Sequence, residues 1–101
     1  MRMTQPSEPN IDKLIDMEWD IMKDLRKMLI DPDFSATEKI RAANALAYHA
    51  SVLKNLLSQK GESNQFNDSN LGDFIKGIQP KIARRVRSDF RKWTRKLSLK
   101  K

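Results

Sequence analysis

The middle of the chain sets the strongest limit on what it can fold into. Ile40, Ala42, Ala43, Ala45, Leu46, Ala47, Ala50, Val52, Leu53, Leu56 and Leu57 spread over roughly 200° of a helical wheel. Arg41, Asn44, Tyr48, Ser51, Asn55 and Ser58 fill the remaining arc. A helix packed on a single neighbour needs an apolar stripe only about 100° wide. This helix must therefore lie between at least two partners, and its alanines allow their backbones to come close. The preceding helix supplies one partner. The C-terminal helix, a second copy of the chain or another protein must supply the rest. The expected fold is all-α: a long antiparallel helical hairpin plus a basic C-terminal helix, as a three-helix bundle or an oligomeric helical assembly.

Local signals place the boundaries. Residues 1–9 are polar, contain two prolines and show no periodicity, so they read as a flexible N-terminus. Asn10 is a suitable N-cap for a first helix over 11–30. Ile11, Leu14, Ile15, Met22, Leu25 and Leu29 fall on one face of that helix. It should stop at Asp31-Pro32, because the residue before a proline is pushed out of the α region. Ser35-Ala36-Thr37-Glu38 has the form of a capping box and opens the second helix. That helix should run over 36–60, with Gly61 just beyond its end. So short a connection makes the two helices antiparallel neighbours and defines a 10–60 hairpin. Residues 61–70 are polar and rich in turn formers, which predicts a linker. Residues 71–101 form the basic C-terminal segment. Gly72 and Gly77 weaken its first turns, and Pro80 suits the first position of a new helix running from Lys81 to about Leu97.

Charge follows the same division. Residues 1–70 hold 9 basic and 11 acidic residues, a balance of −2, whereas residues 71–101 hold 11 basic and 2 acidic, a balance of +9. The formal +7 of the whole chain thus conceals a near-neutral body and a strongly basic arm. In that arm Ile82, Val86, Phe90, Trp93 and Leu97 make one apolar stripe. Lys81, Arg84, Arg85, Arg87, Arg91, Lys92, Arg95 and Lys96 occupy the opposite side, and Lys100 and Lys101 extend the charge.

Several chemistries are excluded. The 101 residues contain no Cys and one His, which removes disulfides, thiol nucleophiles, thiolate zinc and His-rich metal sites. Gly-rich phosphate loops, a nucleophile elbow and metal-ligand spacing are all missing. The chain is therefore expected to be no enzyme and to need no cofactor or metal. No apolar run approaches the ~20 residues of a membrane span, and the N-terminus lacks the apolar stretch of a signal peptide. A cytoplasmic location is expected.

Two further features interrupt the helix faces. Glu18 lies within the apolar stripe of the first helix and His49 within that of the second. In a hairpin turning near residue 33 they fall opposite each other, so they are expected to meet as a structural polar pair that fixes the register, since burying either alone is costly. Asp12, Asp16, Asp20 and Asp24 form an acidic ridge at i, i+4 spacing. Like charges so placed repel mildly, and evenly spaced helix carboxylates do not converge on one ion. The ridge is read as a solvated face, with docking of the basic arm as the sharper alternative.

The basic helix decides the functional expectation. Arg suits phosphate because its donors engage two oxygens at once. Lys81, Arg84, Arg85, Arg87, Arg91, Lys92, Arg95, Lys96, Lys100 and Lys101 are the candidate phosphate contacts, and Trp93 a candidate base-stacking residue if exposed. The expected function is a small nucleic-acid-binding protein with little sequence readout, acting as an accessory subunit of a DNA-processing or packaging assembly. DNA is placed ahead of RNA on general grounds alone. Helix 36–60 is expected to meet a second copy of the chain or a protein partner. Two alternatives stand beside the nucleic-acid reading: a protein-interaction or scaffold subunit without direct nucleic-acid binding, and an amphipathic helix lying on an anionic membrane. The small domain needs the apolar stripe for its own core, which argues against the membrane.

Overall fold

The computed structural model describes residues 10–61 and 68–99. Residues 1–9, part of the expected linker (62–67), Lys100 and Lys101 lie outside the described residues. The chain is all-α, with a long antiparallel hairpin joined by a basic C-terminal helix. In order the helices are α1 (Ile11–Ile30), α2 (Ala36–Gln59), α3 (Asp68–Phe74) and α4 (Pro80–Leu99).

The helix ends follow the capping chemistry. The Asn10 side chain accepts from the Asp12 N–H at 2.8 Å, satisfying one of the free donors at the start of α1. Asp31 ends α1 in an extended conformation, as its place before Pro32 demands. Its carboxylate accepts from the Asp33 N–H at 2.9 Å and tightens the turn. The Ser35–Glu38 capping box forms in both directions, at 3.1 Å and 2.9 Å. Gly61 takes φ +79° just beyond α2, a left-handed conformation that a side chain would strain.

Helix α2 is the centre of the molecule. Ala42, Ala43, Leu46, Ala47, Ala50, Leu53 and Leu57 are buried, and they meet α1 on one flank and α4 on the other. Most of the broad apolar arc is thus covered by α1 and α4, while Ile40 stays exposed and Ala45, Val52 and Leu56 are only partly buried. Ser51, assigned by its wheel position to the polar arc, is buried too. Its hydroxyl donates to the Tyr48 carbonyl at 2.7 Å, so the helix itself satisfies the group and burial carries no orphan donor. At the open end of the hairpin, Lys60 Nζ lies 2.6 Å from Asp12 Oδ1.

Helix α3 begins within the stretch expected to be linker. Leu71, Ile75 and Ile78 are buried in the common core, and that burial outweighs the low helix propensity around Gly72. Arg26 of α1 holds the end of α3: its Nε donates to the Phe74 carbonyl at 2.8 Å and its Nη2 to the Lys76 carbonyl at 2.9 Å. The Phe74 carbonyl is one that a helix terminus leaves without a partner, and the Lys76 carbonyl lies in the turn that follows. Trp19 packs beside them, with its ring centroid 5.7 Å from that of Phe74. Gly77, at φ +91°, lets the chain turn into α4.

Helix α4 runs in the same direction as α2. Ile40 borders the first turns of α4, and Asn44 bonds to Trp93 further along. Val86 and Phe90 are buried, and Ile82, Ala83 and Trp93 pack against the same core. Among the described residues no helix is long and apolar enough to cross a membrane.

Candidate nucleic-acid interface

Because the stripe of Val86 and Phe90 faces α2, the opposite side of α4 faces outward. Lys81, Arg84, Arg85, Arg87, Arg91, Lys92, Arg95 and Lys96 are all exposed there. Lys81 and Lys96 lie fifteen positions apart, a span of about 22 Å along the helix axis. That matches about six base-pair steps of a duplex.

The cations are not equivalent. Arg87 turns back toward α3: a Cβ placed on Gly72 would come within 2.6 Å of its Nη2. The absence of a side chain at Gly72 is what leaves room for that guanidinium. Lys96 Nζ stands 5.1 Å from the centre of the Trp93 ring, a cation–π contact. Arg85 Nε lies 3.7 Å from Asp89 Oδ2, an ion pair beyond hydrogen-bond reach. Asp89, the only acid of α4, sits at the edge of the apolar stripe and is buried, so no acid interrupts the outer cationic arc.

Trp93 is not an open stacking surface. It is half-buried, and its indole N–H donates to Asn44 Oδ1 at 3.1 Å. The Tyr48 ring meets it edge-on at 4.8 Å between centroids, and Lys96 covers it as described. Tyr48, Asn44 and Lys96 thus limit the ring surface that Trp93 could offer a base. Asn44 and Asp89 were not singled out by periodicity. The signal for Asp89 was its isolation as the one acid in a cationic helix. Asn44 had none, because its role depends on a residue 49 positions away.

The second pair of residues meets on the opposite flank of α2. His49 Nδ1 and Glu18 Oε1 are 2.7 Å apart, with both side chains largely buried. The Tyr48 ring stands edge-on to the His49 ring, 5.2 Å between centroids, so Tyr48 touches both His49 and Trp93. The acidic residues Asp12, Asp16, Asp20 and Asp24 are exposed on α1. Among the described residues no three acidic or His side chains converge as metal ligands would.

Comparison with protein-family models, with curated proteins and with solved structures finds no match to this chain.

Proposed function

We propose that the outer face of α4 binds the phosphate backbone of nucleic acid with little sequence readout, and that the protein serves as an accessory subunit of a DNA-processing or packaging assembly. The observation that carries this reading is the arc of exposed Lys and Arg on α4, whose only acid is turned inward. Stability accounts for only part of such an arc: Arg85 pairs with Asp89 and Lys96 stands over Trp93, while the remaining like charges work against it. Arg87, Arg91 and Arg95 repel one another at i, i+4 spacing, as do Lys92 and Lys96. Lys81 stands at the positive end of the helix dipole. A helix that bears these costs beside a packed core has its charge for use, and polyphosphate is the partner that complements it.

The burial of Val86 and Phe90 weighs against the membrane reading. To enter a lipid surface, the apolar side of α4 would first have to leave α2.

A titration tests the proposal. A fluorescent duplex and a fluorescent single strand are titrated at low salt with the full chain and with the Arg84→Gln/Arg91→Gln/Arg95→Gln variant, whose changes lie on the exposed face. The expected result is binding by the full chain and a large loss in a variant of unchanged helicity. Absence of binding by the full chain at low salt refutes the proposal, and sedimentation with anionic liposomes would then support the membrane alternative.

A further inference from the structure

Glu18 and His49 lie at the centre of an apolar face that the described helices leave open. Leu14 and Ile21 stand four residues before and three after Glu18 on α1, and Ala45 and Val52 stand four before and three after His49 on α2. Residues so spaced share one side of a helix, and the 2.7 Å Glu18–His49 contact brings the two sides together. Met17, between Leu14 and Ile21, is 56% exposed. Leu14, Ile21, Ala45, Val52 and Leu56 are only partly buried. Helix α4 packs on another side of α2, where Asn44 meets Trp93. A continuous apolar patch rimmed by polar residues marks an interaction surface.

We propose that this face pairs with a second copy of the chain about a two-fold axis level with Met17 and His49, each helix lying antiparallel to its counterpart. On α1 this axis sets Leu14 against the partner's Ile21, and Met17 against the partner's Met17. At the rim it sets Lys13 against the partner's Asp20; both residues are exposed. On α2 it sets Ala45 against the partner's Leu56, small beside large. One axis serves both helices because the Glu18–His49 contact puts Met17 and His49 at nearly the same level. A two-fold interface must be self-complementary, and here each contact forms twice. Charge selects the register: sliding the axis one turn, to Asp20, would set Asp20 against the partner's Asp20 and lose both ion pairs. Helix α4 lies across α2 from this face, so the inference does not depend on the nucleic-acid reading.

Light scattering measures the mass of the full chain from about 1 µM to about 1 mM, the range in which a reversible dimer of modest strength assembles. The mass is expected to rise from 11.8 kDa toward twice that value. Met17→Glu, which sets two carboxylates together on the axis, is expected to keep the chain monomeric with unchanged helicity. Lys13→Glu is expected to weaken association about tenfold, and Lys13→Glu/Asp20→Lys to restore it. The chain has no Cys, so Met17→Cys introduces a single thiol. Mild oxidation is expected to cross-link two chains of that variant faster than chains of Ile30→Cys, which is changed at an exposed site at the far end of α1. A chain that stays monomeric at every concentration overturns the inference. So does a dimer that survives in folded Met17→Glu, a double variant no stronger than Lys13→Glu, or cross-linking no faster in Met17→Cys than in Ile30→Cys.

Discussion

Glu18 and His49 occupy positions on apolar helix faces where leucine would serve packing better. Their 2.7 Å contact makes each tolerable to the other, because either alone would leave a desolvated polar group. Glu18→Leu is therefore expected to cost about 1–3 kcal/mol, while Glu18→Leu/His49→Leu returns to within about 1 kcal/mol of the native protein or exceeds it. Urea unfolding midpoints measure both. His49→Leu should lower stability and leave nucleic-acid binding unchanged; binding lost in a folded variant would contradict a structural role. This pair was legible in the sequence because hairpin register follows from a short turn of known position. Arg26 was not legible. Its value lies in carbonyls 48 and 50 residues away, and nothing near position 26 announces them. The same holds for Asn44, whose partner Trp93 sits on another helix.

At the scale of elements, the helices whose ends carry strong local chemistry were predicted to within a residue or two. Asp31-Pro32, the Ser35–Glu38 box, Gly61 and Pro80 each determine backbone conformation through their own atoms. Helix α3 lacks such signals. Burial of Leu71 and the hold of Arg26 impose it, so tertiary packing extends it into residues that read as linker. On the proposed function, helix α4 has a packing side and a binding side. Phe90→Ala removes a buried ring and is expected to cost about 3–5 kcal/mol. Arg95→Ala, one turn further on the outer face, is expected to change stability by no more than about 0.5 kcal/mol and to weaken nucleic-acid binding. Chemical denaturation and a binding titration on the same two variants separate the roles.

For the whole molecule, the division of charge along the sequence becomes a division in space. The central helix α2 stands between the acidic ridge of α1 and the cationic face of α4, so the two charged surfaces belong to different sides of one core. The sequence showed that α2 needed more than one partner but left open which chain supplied it. That choice depends on long-range packing, and α4 of the same chain takes one flank of α2. The basic arm is consequently a structural member: removing residues 80–101 would expose the α4-facing half of the core, which is why surface substitutions, and not truncation, test the proposed binding. The measurement that bears most directly on this account is the salt dependence of nucleic-acid affinity for the full chain and for Arg84→Gln/Arg91→Gln/Arg95→Gln. If five to eight cations meet phosphates, log K falls against log salt with a slope of roughly −4 to −7, and the folded variant loses up to about three units of that slope. A slope near zero, or one that the three substitutions leave unchanged, would contradict it.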